Sequence, residues 1–502
     1  MWLKYRGYIF FVLSIFLAIL VSKHSLVLRY FNYETYPLPN LDEYNYIWQA
    51  ISLKKTGLPM AWSLNSGEYG NKLFGSIRGE VGGFSIDNVD LNKFLQDRKP
   101  LTGVVELDYL KGKEQILMVA PFFDHPPIGG MIYEWGMPDN VETVEAVRPA
   151  DFRKSAIVMA VITGGLLYIL LLMLYGNPWV PLIALIVYST VPTYILATRT
   201  AYLENAVSPL ILMSLIFVYL SIEGYEKRKS MAYETATLIV AGIIGGMAVL
   251  TKEPAIGFLG GLVILMGVYK LPYKNIFIFL TAVAVPILIY ISWGLWLQKD
   301  LFVAIFATNS HRGYFGAIKM VTQLEALKLK NFPVDGWWIW GWISFFIISL
   351  RIRVKKVLFI TLPLAAHLLT ILLVPSPNYP WYLMSSIPFL AACSGIFIWE
   401  IMQKPNWAKG IAFFLVPFSS SYYWGREALN LVPSIGHYRN IFFVFIVILG
   451  MRLRWPKVGL VRYIWWLFFG YLIYRIFIYN EVAFPYLMAH WGSLPVPSLP
   501  NY

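Results

Sequence analysis

RKSAIVMAVITGGLLYILLLMLYG, residues 153–176, carries charged residues only at its first two positions. A helix that crosses the hydrocarbon core of a bilayer needs about 20 apolar residues, and this stretch supplies them. The whole chain of 502 residues has the same character, with 58% hydrophobic and 14% charged residues. Soluble domains carry about 25% charged residues. The composition therefore excludes an ordinary cytosolic enzyme and a disordered chain, and the single cysteine, Cys393, excludes an internal disulfide framework.

Similar apolar runs recur along the chain and predict an all-α polytopic membrane protein with about 13 transmembrane helices. The predicted spans are 7–28, 155–175, 179–197, 205–222, 233–250, 255–269, 275–297, 337–350, 357–374, 383–401, 409–423, 440–451 and 459–480. A β-barrel is excluded, because barrel strands alternate apolar and polar residues over about ten positions and these runs do not.

Basic residues in the short loops predict the orientation of the spans. If the N-terminus is cytoplasmic, 16 lysines and arginines lie in cytoplasmic segments and four lie in short outer loops. The formal net charge of +13 therefore reports mainly on topology and not on nucleic-acid binding. We expect a multi-pass protein of the cell (plasma) membrane with a cytoplasmic N-terminus and an outer C-terminus. The first span lacks a small-residue cleavage signature, so we expect it to be retained.

The first outer segment, residues 30–153, differs from the rest of the chain. It holds 17 of the 28 acidic residues, and its net charge is about −6. LTGVVELDYL and KEQILMVAPFF predict short strands, and DEYNYIWQAISLKKTG predicts an amphipathic helix on the membrane surface. We therefore expect a large α/β extracytoplasmic loop. The predicted division of the chain is 1–29, first transmembrane helix; 30–153, first outer loop; 154–297, spans 2–7; 298–336, second outer segment; and 337–502, spans 8–13.

Two short motifs in the first outer loop are candidates for chemistry. Asp42 and Glu43 follow the first span, where a carboxylate could take a proton from an acceptor hydroxyl. On spacing alone, the acids of a helix N-terminus, with Asn40 as its cap, are the simpler interpretation. Asp124 and His125 precede two prolines and could bind a divalent metal ion or a phosphate, or could belong to a rigid aromatic-proline turn.

Further charges stand at the predicted outer ends of later spans. Charged side chains at such depths cost free energy and often mark functional sites. A single lysine or arginine could instead be an anchor that extends to the interface. Together they predict a pocket for an anionic group at the bilayer surface, such as the phosphate of a lipid-linked substrate. These residues are Arg153, Arg199, Glu204, Lys252, His311 and Arg312.

These motifs, taken in order, resemble the GT-C glycosyltransferases that use polyprenyl-phosphate sugars, especially protein O-mannosyltransferases and the lipid A aminoarabinose transferase. Asp42-Glu43 matches the Asp-Glu pair that follows the first span in this family, and FFDHPPIGGM is similar to FFDVHPPLGK of the mannosyltransferases. The run 153–176, RTAYLENA and AVLTKEPA resemble the elements that place Arg153, Arg199, Glu204 and Lys252, and PNYPWYLMSSIPFLAA resembles the family more weakly. Residues 61–118 have the position of an insertion.

The resemblance implies an inverting transfer of a hexosyl or pentosyl group from a polyprenyl phosphate to an acceptor hydroxyl at the outer face. Asp42 would be the general base and Glu43 its catalytic neighbour. Arg153, Lys252, Arg199, His311 and Arg312 would bind the donor phosphate. Asp124, His125 and Glu204 would contact substrate or a metal ion.

The implied partners are a polyprenyl-phosphate-linked sugar, a lipid, glycan or protein acceptor, and the bilayer, with no nucleic acid. No cofactor is certain, and a divalent metal ion at Asp124 and His125 stays open. A lipid or small-molecule transporter or flippase, and a non-catalytic subunit of an envelope assembly, are the alternatives. A transporter predicts inverted repeats, which the sequence does not contain.

Overall fold

The structure is a computed structural model that describes residues 2–35, 41–63, 65–69, 90–109, 112–138, 141, 146–310, 335–351, 353–373, 380–429 and 435–491. The described residues are mostly helical. The helices up to residue 268 are α1 Trp2–Tyr30, α2 Leu41–Thr56, α3 Leu91–Asp97, α4 Ile128–Glu134, α5 Pro149–Tyr175, α6 Trp179–Thr190, α7 Pro192–Thr198, α8 Leu203–Glu226, α9 Met231–Thr251 and α10 Ile256–Val268. The later helices are α11 Tyr273–Ser310, α12 Gly336–Ser349, α13 Lys355–Leu373, α14 Ile387–Gln403, α15 Trp407–Phe413, α16 Ser419–Ala428, α17 Ile435–Arg454 and α18 Gly459–Trp491.

The helical, multi-pass architecture is confirmed, but the count of 13 spans is not. Within the described residues, nine helices are long and apolar enough to cross a bilayer, and a bent pair, α6 and α7, makes ten. Two further predicted spans, 255–269 and 337–350, correspond to apolar helices shorter than 18 residues. The predicted span 409–423 is divided by a π-helical segment, Phe414–Phe418, which contains Pro417. A proline lacks the backbone donor that a regular helix needs, which accounts for an irregular turn there.

The bend between α6 and α7 also has a local cause. The two helices meet at 71°, and Val191 between them has extended backbone angles. The residue before a proline avoids the helical region, and Pro192 follows Val191.

The helices are arranged around a central one. In the segment Trp381–Gln403, which contains α14, 94% of the most apolar stretch is buried inside the protein, whereas the same fraction is 17% in α11 and in α17. The peripheral helices carry exposed large apolar side chains such as Phe277, Ile289 and Phe443. This is the distribution expected of a helix bundle whose outer surface contacts lipid.

The segment between α1 and α5 contains a small antiparallel sheet with the strand order β1-β3-β2, which confirms the predicted strands. The strands are β1 Ala61–Trp62, β2 Leu101–Tyr109 and β3 Gly112–Ala120. In β2–β3 pairing, Leu101 is opposite Ala120 and Tyr109 is opposite Gly112.

Helix α2 forms where the sequence predicted a helix, but it is not a surface helix. From Glu43 to Ser52 every residue of α2 is buried. The predicted helix is therefore confirmed, but its predicted position on the membrane surface was wrong. The apolar residues of α2 pack in a cluster with Tyr133 of α4, Phe152 of α5 and Leu203 of α8, so the helix is surrounded by protein.

Helix α11 extends beyond its predicted limit of residue 297 and runs to Ser310. It breaks at Gln298, whose backbone is extended with φ −159° and ψ 91°. The Gln298 Oε1 atom accepts a hydrogen bond of 2.7 Å from the Leu301 backbone amide. It thereby caps the part of α11 that follows the break, residues 299–310, which we call the outer section of α11. That section packs on the first loop through Phe302, which meets Phe123 edge to face. The division of the chain into outer loops and groups of spans remains a prediction.

Candidate active site

The two acids at the start of α2 point to different environments. Successive residues of a helix are rotated by about 100° from each other. Glu43 is fully buried, whereas Asp42 is partly exposed. The Glu43 carboxylate accepts hydrogen bonds from Arg153 Nε at 3.0 Å, Arg153 Nη2 at 2.6 Å and the Ala201 backbone amide at 2.7 Å. Glu43 thus joins α2 to α5 and to the connection between α7 and α8.

The side chains of Arg153 and Arg199 are buried in the same region as Glu43. Both side chains have 0% exposure. Arg153 Nη1 donates to the Tyr33 carbonyl at 2.8 Å, and Arg199 Nη1 donates to the Phe31 carbonyl at 2.5 Å. These two carbonyls follow the C-terminal end of α1, where backbone acceptors lack helical partners and basic groups are stabilising.

Arg199 has a costly environment. Its burial, followed by the charges of Arg153 and Arg29, lowers the pKa of its guanidinium well below the usual value. An arginine nevertheless stays charged in proteins. Its guanidinium lies 5.2 Å from the centre of the Phe484 ring, and Nη2 contacts Met488 Sδ at 3.5 Å. We call the set Glu43, Arg153 and Arg199 the buried node.

The turn that carries Asp124 and His125 is held tightly against α2. Gly130, at the start of α4, approaches α2 so closely that a Cβ atom there would lie 2.1 Å from the Tyr46 carbonyl oxygen. Gln49 Nε2 donates to the His125 carbonyl at 2.7 Å. Gly130 therefore permits a contact with α2 that no larger residue would allow.

Asp124 contacts residues of two other segments, Ser63 and Asn309. Its carboxylate accepts a hydrogen bond from Ser63 Oγ at 2.8–2.9 Å, and its carbonyl accepts one from Asn309 Nδ2 at 3.3 Å. Asp124 is 6% exposed. These contacts join the first loop to the outer section of α11.

Lys252 lies at the end of α9 and is 4% exposed. Its Nζ atom is 3.3 Å from His125 Nε2, and His125 Nδ1 is 3.3 Å from Glu253 Oε1. A lysine ammonium can only donate, so Nε2 of His125 accepts and Nδ1 carries the hydrogen that is donated to Glu253. The Lys252 ammonium also lies 5.8 Å from the centre of the Tyr46 ring and 5.5 Å from that of Tyr382.

The environment keeps Lys252 charged. Burial alone would lower its pKa, but Tyr382, Glu204, Glu253 and Asp42 outweigh burial and raise it above the ordinary value. Lys252 is therefore a buried cation that acidic groups surround.

Glu204 opens α8 close to this lysine. It is 2% exposed, and within the described residues neither carboxylate oxygen has a hydrogen-bond partner. Burial, followed by the charges of Asp42 and Glu204, raises the pKa of Tyr46 well above its usual range. Asp42, Glu204 and Tyr46 are thus near enough to act on one another.

The structure therefore brings some predicted residues together and separates others. Asp42, His125, Glu204 and Lys252 surround Tyr46, and we call these four residues the charged cluster. Glu43, Arg153 and Arg199 form the buried node, and Asp124 lies on the loop side. His311 and Arg312 fall outside the described residues.

The residues that the structure describes do not assign a metal ion to Asp124 and His125. In the described parts of the chain, no group of three histidine, cysteine or acidic side chains could hold a metal ion. The His125 ring nitrogens already face Lys252 and Glu253, and a cation beside Lys252 would be repelled.

Sequence reasoning missed Tyr46 and Tyr382, which flank Lys252. A signal for Tyr46 was present, because it follows Asp42 by four residues and so shares a helix face with it. Tyr382 lies in the proline-aromatic run 377–382, but nothing in that run indicates that it folds back onto Lys252.

The chain is similar in structure to ArnT from Cupriavidus metallidurans, in the apo state and bound to undecaprenyl phosphate. The TM-score is 0.56 and the identity 13%, over 95% of this chain and 77% of ArnT. ArnT is the lipid A aminoarabinose transferase, a member of the GT-C superfamily. This chain therefore shares the fold of ArnT.

The oligosaccharyltransferase AglB from Archaeoglobus fulgidus, in complex with an inhibitory peptide and a dolichol-phosphate, is more distant. Its TM-score is 0.46 and its identity 10%, over 99% of this chain and 57% of AglB. No protein-family profile matches the sequence, and no curated protein matches it.

Proposed function

We propose that this protein is a membrane glycosyltransferase. It transfers one sugar from a polyprenyl-phosphate donor to an acceptor hydroxyl at the outer face of the membrane, with inversion at the anomeric carbon. The observation that carries this proposal is the meeting of Asp42, His125, Glu204 and Lys252, from four separate elements, in a chain that shares the fold of ArnT.

Asp42 is the proposed general base. It is the partly exposed acid of the pair at the start of α2, so an acceptor can reach it, whereas Glu43 is engaged by Arg153 and Ala201. Asp42 takes the proton of the acceptor hydroxyl as the oxygen bonds to the anomeric carbon. Attack from the face opposite the phosphate gives inversion.

Lys252 is the proposed partner of the donor phosphate. The bond between the anomeric carbon and the phosphate oxygen breaks, and negative charge develops on the leaving polyprenyl phosphate. A fixed ammonium in a site that excludes water stabilises such charge without reorganisation. The hydrogen bonds from Lys252 to His125 and from His125 to Glu253 support a fixed position of the ammonium.

The donor class is supported by the similar fold of ArnT, which has been observed with undecaprenyl phosphate bound. The lipid chain would lie along the apolar outer surface of the helices. Arg153 and Arg199 are proposed to support the site from behind, since their side chains are fully buried.

The experiment is transfer by Asp42→Asn in membranes supplied with a polyprenyl-phosphate sugar and an acceptor extract. We expect the rate to fall by about 10²–10⁴, because general-base catalysis contributes this much. Asp90→Asn is the matched control: Asp90 is exposed and caps α3, and asparagine caps equally well. A rate for Asp42→Asn within about twofold of wild type would exclude Asp42 as the base.

A further inference from the structure

His367 is a buried ionisable residue that neither motif nor resemblance singles out. It lies in the apolar run TLPLAAHLLTILL, residues 361–373, near the middle of α13, and it is 2% exposed. A polar side chain within a membrane-spanning helix is costly and needs hydrogen-bond partners.

The ring of His367 is satisfied on both sides. Its Nδ1 atom is 3.1 Å from the Pro254 carbonyl oxygen, and its Nε2 atom is 3.0 Å from Ser385 Oγ. A carbonyl oxygen only accepts, so Nδ1 carries the hydrogen and Nε2 accepts the hydrogen of Ser385. The ring also stacks on Phe258, with centroids 4.0 Å apart and planes 13° apart.

These partners belong to two different segments: Pro254 lies in the segment that carries Lys252, and Ser385 lies in the turn that carries Tyr382. Pro254 is two residues after Lys252, and Ser385 is three residues after Tyr382. Tyr382 is one of the two rings beside Lys252, at 5.5 Å. One imidazole therefore connects the segment that carries the cation to the turn that carries the ring.

Close packing of α10 on α13 brings the ring within reach of Pro254. A Cβ atom at Gly257 would lie 2.7 Å from the His367 Cα atom, and one at Gly261 would lie 2.5 Å from the Pro363 Cα atom. The two glycines are four residues apart, which is the spacing that lets membrane helices approach closely.

We propose that His367 is a positioning residue: it ties the Lys252 segment to the Tyr382 turn and so directs the Lys252 ammonium at the phosphate of the lipid substrate. This inference rests on the proposed role of Lys252. An apolar residue of similar size would fill the same space and keep the contact with Phe258, but it would leave the Pro254 carbonyl and Ser385 unconnected.

The test is a double-mutant cycle that measures binding of undecaprenyl phosphate to the full-length protein in nanodiscs, with undecaprenol as the probe that lacks phosphate. We expect His367→Phe to weaken binding of the phosphate lipid about tenfold, within the range of coupled neighbours. In the Lys252→Met background the same change should cost nothing further. His367→Asn, whose amide can still donate to Pro254, should recover most of the affinity.

Ser214→Ala is the matched control, because it also removes a buried hydrogen bond between helices, from Ser214 Oγ to the Ala241 carbonyl at 2.8 Å. It should lower the melting temperature without changing lipid affinity. If His367→Phe does not fold, Ser385→Ala tests the same connection from the other side. Ser385→Ala should weaken binding of undecaprenyl phosphate when Lys252 is present and have no effect in the Lys252→Met background.

Additive losses in the cycle, or equal losses for undecaprenol, would mean that His367 serves packing alone and would overturn the inference. Weaker binding in Lys252→Met but not in His367→Phe would overturn the role of His367 and leave the proposed function standing. Unchanged binding in Lys252→Met would overturn the proposed phosphate site itself.

Discussion

The buried node and the charged cluster lie side by side, yet they are built differently. In the node, Glu43 receives three hydrogen bonds of 2.6–3.0 Å, and Arg153 and Arg199 have no exposed surface. In the cluster, the Lys252–His125 contact is 3.3 Å, Glu204 has carboxylate oxygens without hydrogen-bond partners in the described chain, and Asp42 is partly exposed.

The difference teaches that charge at a helix end does not by itself identify a substrate ligand. Asp42 and Glu43 are neighbours in sequence but belong to the two different regions. A buried ion pair whose partners are hydrogen-bonded to each other, such as Glu43 and Arg153, holds the fold together, whereas a buried acid such as Glu204, with no hydrogen-bond partner in the described residues, retains bonding capacity for a ligand. Variants that affect stability without chemistry, or chemistry without stability, separate the two regions.

The largest effect is expected from Arg153→Met, which leaves Glu43 buried without its guanidinium. Breaking a buried ion pair from one side costs about 3–5 kcal/mol. Thermal unfolding of the detergent-purified protein measures this loss. The double variant Glu43→Leu with Arg153→Met should recover part of the stability, and an unchanged melting temperature for the single variant would contradict the assignment of Arg153 to the node.

In Lys252→Met we expect a large loss of activity and a smaller loss of stability. We expect kcat/KM for the lipid-linked donor to fall by about 10²–10³, as when one group that stabilises developing negative charge is removed. The melting temperature should fall by less than in Arg153→Met, because the contact of Lys252 Nζ is with the His125 ring at 3.3 Å, whereas Arg153 pairs directly with the Glu43 carboxylate at 2.6 Å. Lys154→Met, at an exposed lysine of α5, is the control and should retain full activity.

Gly130→Ala tests the contact that places the His125 turn against α2. The added Cβ atom would clash with the Tyr46 carbonyl, and overpacking of this kind costs about 1–3 kcal/mol. Gly165→Ala, where a Cβ atom would meet nothing within 4 Å, should be neutral or slightly stabilising. Equal melting temperatures for the two variants would contradict the close approach of α4 and α2.

The smallest effect is expected for Lys54→Ala. Lys54 pairs with Glu134 at 2.6 Å, but the lysine side chain is 66% exposed. Exposed ion pairs contribute about 0–1 kcal/mol. Unfolding should shift by no more than this, and less in high salt, because mobile ions screen the pair. A larger loss would mean that the connection between α2 and α4 depends on this pair.

The sequence predicted the helical membrane architecture because apolar runs of sufficient length have few alternative structures. It also indicated Asp42, His125 and Lys252, since their motifs are local. It did not separate Glu43 from Asp42, because burial depends on α5 and on the α7–α8 connection, which are distant in sequence. The burial of α2 was missed for the same reason, because it depends on packing partners that no local pattern reveals. The division of span 409–423 has a local cause, Pro417, which the apolar run alone did not indicate.

The environment of α2 also constrains the order of events during biosynthesis. Helix α2 precedes most of its packing partners in the chain, and Glu43 pairs with the Ala201 amide 158 residues later. When α2 emerges from the ribosome, neither Arg153 nor Ala201 has yet been made. The contacts of Glu43 with Arg153 and Ala201 therefore form only after α5 and the bent pair α6–α7 have been synthesised.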